Sequence, residues 1–347
     1  MRILFILIFL LTTGLIGVYG QNCSQILRQA RTVYDEGRIQ ALPDMLQGCI
    51  DNGFTDEERT EAYRLLILAY LYLDEAEQAD ATMLALLEDN PQFQINEQAD
   101  PAELINLYNT FRTKPIFSYG FKGGGNITLI QVLNTYGVHR LDNSDGQYEL
   151  KPGFQVAAVI EKILKPRLTA SLEIYFTGNF NTYTNNFVNT DSLGRFLESQ
   201  TIILSQSTLS VPVTVQYEVL TDSKYHPYIF GGLSVQYLMS STFNGETNTA
   251  SESFEGATVD ILNQRKTLNF SGVLGVGSKI QVGKNTFVSE LRFNMGLLNQ
   301  VEESERFTNQ TLIYDYGYID NDFKLHSISL SIGYLLPFYD PKKLTDN

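Results

Sequence analysis

The sequence predicts an all-α helical-repeat domain at the N-terminus, followed by an all-β, eight-stranded antiparallel transmembrane barrel. Three observations support this fold class. Apolar residues recur with helical spacing up to about residue 114 and alternate with polar ones after Pro115. Connections between the alternating segments are short and long in turn, and an apolar leader precedes both domains. A chain of 347 residues is long enough for two domains.

The charge and cysteine content exclude several classes of protein. Lys and Arg number 25 against 39 Asp and Glu, which gives a net charge of −14. This balance argues against binding to nucleic acid and against a basic patch for anionic lipid. The two cysteines are too few for a disulfide-dense scaffold or a Cys-rich zinc site.

Residues 1–20 have the pattern of a secretory signal peptide cleaved after Gly20. A short basic start precedes an apolar run from Ile3 to Ile16. An uncleaved anchor helix is the alternative, although this run is short for a bilayer core of ~30 Å. Because no apolar run of ~18 residues follows, a membrane role would have to come from strands.

Residues 21–114 form an acidic helical domain and connector, with 17 acidic and 7 basic residues. Ser24 is predicted to cap the first helix. The Thr55–Glu58 spacing predicts a capping box at the start of the third helix. The predicted helices span about residues 24–36, 39–50, 57–74, 75–89 and 102–111.

The third and fourth predicted helices resemble a tetratricopeptide repeat. Ile67 departs from the repeat pattern, which has a small residue near the helix crossing, and residues 23–50 resemble a degenerate second copy. The alternative is a four-helix cap without repeat ancestry. The resemblance implies a groove for peptides or partner helices. The signature positions are Tyr63, Leu66, Tyr70, Asp74, Ala79, Met83, Leu86 and Pro91.

Cys23 and Cys49 are predicted to form a disulfide, since one lies near each helix of the first pair. Outside the cytoplasm such bonds persist. Closing this loop would stabilise the domain by roughly 3 kcal/mol on the chain-entropy model. Two free thiols are the alternative.

Residues 115–347 contain alternating segments that predict a membrane barrel rather than a soluble sandwich. Long polar connections near 130–149, 178–199, 242–265 and 299–322 alternate with short turns, as in outer-membrane barrels. Aromatic residues gather at the ends of the segments, as an interfacial belt would require. The eight predicted strands lie at about 117–129, 150–164, 168–176, 209–219, 227–241, 266–282, 287–295 and 328–338.

Six charged residues fall on the inward face of the predicted barrel by alternation. Because unpaired charges would be costly there, we expect an ion-pair network that fills the lumen. Ion conduction is the alternative. Pro212 lies in mid-strand, where its missing N–H predicts a bulge. The six residues are Glu161, Glu173, Glu218, Lys279, Glu290 and Arg292.

Two segments extend the resemblance. Phe117–Asn126 resembles the first strand of small outer-membrane barrels of Bacteroidota, and Ser327–Phe338 resembles their aromatic-ended final strand. Proteins that combine such a barrel with a tetratricopeptide-like module resemble accessory parts of envelope machines, including type IX secretion. The resemblance implies an outer-membrane location with the N-terminal domain in the periplasm.

Residues with possible chemistry are few. His139, near Asp142 and Asp145, could form a catalytic dyad in a long loop. Asp191-Ser192-Leu193 resembles an acceptor for O-glycosylation at Ser192. The run 320–322 is too short for a Ca²⁺ site, and no helix follows Gly123–Gly125 to hold a nucleotide. The sequence therefore predicts no cofactor and no metal.

These patterns predict a non-enzymatic outer-membrane anchor or adaptor. Its acidic helical domain would dock periplasmic or outer-membrane proteins of a larger complex. A basic surface on the partner would suit the charge of that domain. We expect contact with outer-membrane lipid and none with nucleic acid. The alternatives are a lipid-modifying enzyme with His139 as base and a narrow channel for small solutes.

Overall fold

The computed structural model describes residues 17–137, 144–190, 196–220, 225–249, 253–314, 316 and 318–344. The predicted apolar run of the signal peptide lies outside these residues. The chain divides into two compact units, a helical unit up to Pro115 and a sheet unit from Ile116 to Phe338. The tail from Tyr339 onward belongs to the helical unit, which the sequence pattern did not indicate. Among the described helices, none is long and apolar enough to cross a membrane.

The helical unit contains five helices within the described residues. Gly37 ends the first of them, since its φ of +75° is a conformation that favours glycine. A 3-10 turn at Ile39–Ala41 separates the first two. The helices are α1 (Gly17–Asp35), α2 (Leu42–Asp51), α3 (Asp56–Tyr72), α4 (Ala76–Asp89) and α5 (Ala102–Asn109).

The sequence predicts two helix caps in this unit, and the structure contains one of them. The predicted capping box is confirmed: the Glu58 N–H donates to the Thr55 hydroxyl at 3.3 Å, and the Thr55 N–H donates to the Glu58 carboxylate at 3.1 Å. The prediction for Ser24 is wrong, because α1 already includes this residue. Its hydroxyl instead donates to the Glu58 carboxylate and so links α1 to the start of α3.

Two apolar cores hold the helical unit together. The first joins α1, α2 and α3, and it contains the disulfide between Cys23 and Cys49, whose Cα atoms are 5.6 Å apart. The second joins α3, α4 and α5 around the fully buried Ile67 and Met83. The bulky Ile67 is accommodated at the centre of this core, where the repeat pattern has a small residue.

The C-terminal tail completes the helical unit. The Leu344 N–H donates to the Thr110 carbonyl at 2.7 Å, and the Arg112 N–H donates to the Lys342 carbonyl at 2.9 Å. Arg112 also pairs with the Asp340 carboxylate. The tail thus adds backbone hydrogen bonds to a segment that directly precedes the sheet.

The sheet unit has eleven antiparallel strands in its described residues, where the sequence predicts eight that cross the membrane. Lys151 separates β2 from β3, and β7 and β8 are short strands on β6 in a predicted loop. The sheet closes on itself because β1 pairs with β11. The strands are β1 (Phe117–Asn134), β2 (Ser144–Leu150), β3 (Pro152–Lys165), β4 (Leu168–Thr190), β5 (Phe196–Glu218), β6 (Tyr225–Thr249), β7 (Ser253–Glu255), β8 (Val259–Asp260), β9 (Leu268–Val282), β10 (Asn285–Gly296) and β11 (Asp322–Phe338).

The predicted long connections 178–199 and 242–265 are wrong in large part. Strands β4 and β5 have 23 residues each and β6 has 25, whereas a membrane-spanning strand needs about 9–11. These three strands continue well beyond the apolar band. By contrast, β10 has 12 residues, so one side of the barrel is much taller than the other. A further 3-10 turn and a short helix α6 (Gln310–Tyr314) lie between β10 and β11.

Alternation along the strands separates an apolar outer face from a polar interior. On β5 the outward residues Val211, Val213 and Val215 are exposed, whereas the inward Thr214 and Gln216 are buried. At the short-turn end Phe117 stacks on Phe338 with ring centroids 4.9 Å apart. An exposed apolar band with aromatic residues at its edge is typical of a barrel that faces lipid.

The bulge predicted at Pro212 is wrong. Its pairing with Ser234 on β6 is regular, and the β4–β5 register is the same before and after it. On the β4 side neither Val211 nor Pro212 has a ladder pair, and Pro212 has no N–H to donate. The β5–β6 register shifts elsewhere, between Leu197 and Ser199 and between Ser207 and Thr208.

Candidate functional site in the barrel lumen

Ion pairs fill the part of the lumen near the short turns. Lys122 Nζ lies 2.6 Å from carboxylate oxygens of both Glu173 and Glu290. Arg292 bonds to the same two carboxylates. The Tyr228 hydroxyl donates to Glu290 at 2.6 Å. Charged groups of β1, β4 and β10 and the Tyr228 hydroxyl of β6 therefore meet at the centre of the barrel.

A second cluster extends the first. Lys279 pairs with Glu161 and donates to the Gln216 carbonyl oxygen at 2.7 Å, while the Gln216 amide donates to Glu161 at 2.8 Å. We call Lys122, Glu161, Glu173, Lys279, Glu290 and Arg292 the lumen network. Its three cations match its three carboxylates, so the burial of charge is compensated.

Alternation predicted five of these six residues, and the structure brings the five together. The sixth predicted residue, Glu218, does not belong to the lumen network. Its carboxylate lies 2.6 Å from Nδ1 of His226, in a partly exposed pair nearer the turn. Glu218 is at the last position of β5, where the side chain reaches the short-turn rim.

Lys122 is the member of the lumen network that sequence reasoning missed. Glycines surround it, so the alternation of β1 is difficult to recognise. The sequence nevertheless indicated its position. Lys122 is separated from Asn126 and Thr128 by even numbers of residues, so all three lie on the same face of β1, and all three are buried.

A polar cavity of about 50 Å³ follows the lumen network. Along β4, its lining residues Thr177 and Asn179 come after Glu173 and before Tyr183. Its walls are mostly amide and hydroxyl side chains. The cavity also reaches Lys266, Thr267 and His326.

Beyond the cavity, an apolar cluster fills the tall end of the barrel. We call this cluster the aromatic plug. Residues 261 and 318 in the connections and residue 312 in α6 contribute to it, so the connections before β9 and before β11 fold into the mouth of the barrel. Its members are Tyr183, Ile202, Leu204, Phe243, Ile261, Leu312 and Tyr318.

Two buried ion pairs fix these loops. Both terminal nitrogens of Arg265 bond to the Asp320 carboxylate, at 2.6 and 2.8 Å, and the Tyr318 hydroxyl donates to it at 3.0 Å. Arg306 pairs with Asp322. The acidic run 320–322, considered for Ca²⁺ in the sequence, is therefore engaged in protein contacts.

The helical unit presents a different electrostatic surface. Its arginines are largely used in internal pairs, such as Arg59 with Asp89 and Arg64 with Asp100. Around the α3–α4 turn, Asp74, Glu75 and Glu77 are exposed. Tyr72 beside them is 76% exposed. The surface therefore combines acidic side chains with an accessible aromatic ring.

The pKa of Tyr70 supports the acidic character of this region. Burial is the largest cause that raises this pKa, and the carboxylates of Glu75 and Asp44 raise it further. Asp44 on α2 thus lies close enough to contribute to the same negative field.

The tetratricopeptide-like positions have structural roles in the α3–α4 hairpin. Leu66, Ala79, Met83 and Leu86 are buried. Asp74 has a φ of +62° in the turn. Tyr63 and Tyr70 are partly buried against the cores, and Pro91 follows the end of α4. These contacts are those of a packed helix pair.

Several candidate residues lie outside the described part of the chain, namely His139, Asp142 and Ser192. Asp145 lies in β2, with its backbone paired to β4. His326 contacts Gln131 at 2.9 Å and stacks near Phe293, with no carboxylate in these contacts. Among the described residues, no group of His, Cys, Asp and Glu could hold a metal ion.

A closed antiparallel barrel with an apolar exterior and a charged interior defines an outer-membrane barrel protein. The family described as outer membrane protein beta-barrel domain matches residues 108–302, and the chain belongs to this family. This membership supports location in the outer membrane. No curated protein sequence matches the chain significantly.

Solved outer-membrane barrels are similar to the sheet unit at low identity. Neisserial surface protein A shares 11% identity, with 66% of this chain and 97% of that chain covered and a TM-score of 0.28. OprG of Pseudomonas aeruginosa shares 8%, covering 65% and 98%, with a TM-score of 0.32. The Escherichia coli outer membrane protease OmpT also shares 8%, covering 64% and 96%, with a TM-score of 0.32. Likenesses at this level carry no argument about activity.

Proposed function

We propose that the protein is a non-enzymatic outer-membrane anchor whose acidic helical unit docks a basic partner protein. The observation that carries the proposal is the charge arrangement of the helical unit. Its arginines are largely paired internally, whereas Asp74, Glu75 and Glu77 are exposed beside Tyr72. An exposed aromatic ring within a negative field suits a partner with basic and apolar side chains.

The proposal treats β1, β3, β4, β5, β6, β9, β10 and β11 as eight membrane-spanning strands and the α3–α4 pair as a tetratricopeptide-like repeat. The ladder β1–β3–β4–β5–β6–β9–β10–β11–β1 supports the strand count. The resemblance to Bacteroidota accessory components of type IX secretion, PorD among them, would make the partner a part of an envelope machine.

The proposal puts the helical unit in the periplasm. Both chain connections leave the sheet at Phe117 and Phe338, which pair at the short-turn end. Outer-membrane barrels have short turns on the periplasmic side. An epitope inserted beside Glu303, which is exposed, should bind antibody on intact cells. An epitope replacing Lys165–Arg167 should bind only after the outer membrane is opened, and the opposite pattern would contradict this orientation.

A photo-crosslinking residue at Tyr72 tests the docking surface. In cells that carry the full chain, we expect a discrete crosslinked partner, and we expect the crosslink to weaken when Asp74→Asn and Glu75→Gln are combined. The matched control combines Glu97→Gln and Glu103→Gln, which removes the same charge from exposed sites elsewhere in the unit. Equal crosslinking in both double variants would contradict the proposal.

A channel is the second candidate, and the lumen network argues against it. Lys122 and Arg292 bridge carboxylates across the lumen, and the aromatic plug fills the opposite end. We expect no steady conductance from the purified protein in planar bilayers. A stable open current that changes with Lys122→Met would favour the channel.

A further inference from the structure

We propose that the polar cavity in the lumen binds a small inorganic anion of halide size. The lining of this cavity contains three basic side chains, Lys266, Arg292 and His326, and no carboxylate among the residues that the structure describes. This composition differs from the neighbouring lumen network, where cations and carboxylates are equal in number.

Four residues with unpartnered hydrogen-bond donors line the same cavity. Gln155 Nε2, Asn269 Nδ2, Arg292 Nε and the Tyr175 hydroxyl are buried without a hydrogen-bond partner in the described part of the chain. All four residues line the cavity, and each is at most 4% exposed. All four groups can donate a hydrogen bond, and three of them cannot accept one. A single anion can accept from several such donors, whereas a cation would be repelled.

The size of the cavity limits the ligand. The cavity has a volume of about 50 Å³, whereas a cavity needs only ~10–15 Å³ to hold one water molecule. The space therefore holds one halide with a few waters and excludes a sugar or a nucleotide.

The charge balance favours a net negative ligand. Arg292 is already compensated by Glu173 and Glu290. Lys266 has no ion-pair partner in the described residues, so it supplies the uncompensated positive charge. Lys266 is half-buried and its neighbour Thr267 is exposed, and both line the cavity, so the cavity lining extends to the protein surface at these two residues.

Bromide is a suitable probe because its anomalous scattering identifies it in crystals. With the full chain purified in detergent and crystallised in sodium bromide, we expect an anomalous peak in the cavity within hydrogen-bond distance of Gln155, Asn269 and Arg292. Bromide found only at surface lysines, with water alone in the cavity, would overturn the proposal.

Two variants and a matched control test the donors. Gln155→Met and Asn269→Leu each remove one unpartnered amide, and each should weaken bromide binding about tenfold, as for a hydrogen bond to a charged group. Gln206→Met is the control, because Gln206 lines the same cavity but its amide already contacts Ser241. Folding is checked by heat-modifiable migration on gels.

Equal bromide binding in the control and in both donor variants would contradict the assignment. If both donor variants fail to fold, the wild-type crystal decides, since a cavity without bromide overturns the proposal by itself. The result does not depend on the docking proposal, because every described residue that lines the cavity belongs to the sheet unit.

Discussion

Lys122 Nζ lies 2.6 Å from Oε1 of Glu290, although 168 residues separate the two in sequence. The residues belong to β1 and β10, which are not neighbours in the sheet, since β11 lies between them. The contact therefore crosses the interior and forms only when β1 and β11 close the barrel. In a low-dielectric lumen, such an ion pair stabilises the closed sheet only while both partners remain charged and bonded.

The first prediction concerns Lys122→Met. Loss of this ammonium leaves three carboxylates with two cations, so the free energy of unfolding should fall by about 3–5 kcal/mol. The measurement is the urea midpoint of heat-modifiable gel migration in detergent. Lys162→Met is the control, because Lys162 is exposed on the same sheet.

A double variant separates charge balance from lost packing. Glu290→Gln alone should destabilise the barrel, but in the Lys122→Met background it restores equal numbers of cations and carboxylates. The double variant should therefore be more stable than the sum of the two single effects predicts. Strictly additive losses would show that the two residues do not act as a pair.

The second prediction concerns Asp320→Asn at the aromatic plug. Asp320 accepts two hydrogen bonds from Arg265, and both side chains are fully buried. Without the carboxylate the guanidinium stays buried and uncompensated, which costs about 3–5 kcal/mol. We expect proteases to cut the connection between β10 and β11 faster while heat-modifiable migration persists. Glu303→Gln, an exposed change in the same connection, should leave the cleavage rate unaltered.

The sequence predicted the membrane-spanning part of the barrel better than its ends. Where β5 faces lipid, Val211, Val213 and Val215 alternate with polar residues, and the face of each side chain can be read directly. Beyond Gly178 neither face of β4 has an apolar row exposed to lipid: Asn181 and Tyr183 on one face and Thr182 on the other are all buried. The apolar–polar alternation is therefore absent there, and the sequence pattern predicts a loop. The lipid environment, and not strand propensity, creates the pattern.

The plug and the tail were not predictable from local pattern. Arg265 and Asp320 lie 55 positions apart, and no local sequence pattern around either residue indicates that they pair. The contact between Leu344 and Thr110 likewise joins the C-terminal tail to the residue that follows α5, far away in sequence. Such pairings depend on the closed fold, whereas the Thr55–Glu58 capping box depends only on local spacing and was predicted correctly.

The third prediction concerns two glycines near the disulfide. Gly53 has a φ of +154°, and a Cβ there would lie 2.5 Å from Sγ of Cys23. Gly53→Ala should therefore lower the stability of the helical unit by about 1–3 kcal/mol and reduce the oxidised fraction of Cys23 and Cys49. The measurements are thiol labelling and protease resistance of the full chain.

Gly48→Ala is the matched control. Gly48 lies within α2, and a Cβ there would meet nothing within 4 Å. Alanine in a helix interior is more favourable than glycine by roughly 0.5–1 kcal/mol, so this variant should be more protease-resistant than the wild type. Equal destabilisation by both substitutions would refute the steric argument for Gly53.

The fourth prediction concerns the response of the helical unit to acid. The Ser24 hydroxyl, and then the Thr55 N–H, hold the pKa of Glu58 below its usual value of 4.5. A carboxyl with a lowered pKa in the folded state stabilises the fold at every pH above its unfolded value. This contribution is lost as the pH falls below about 4.5 and through the folded-state pKa. The protease resistance of the full chain should therefore fall in that window.

Variants assign this acid response to Glu58. Glu58→Gln cannot titrate, so it should be less stable than the wild type at neutral pH, and its stability should change less below about pH 4.5. Ser24→Ala removes the hydrogen bond that lowers the pKa most, so the acid-induced loss should also become smaller. Glu57→Gln, an exposed change on the same helical turn, should keep the wild-type pH dependence. An acid response that is the same in wild type and Glu58→Gln would place its origin in other carboxylates of the helical unit.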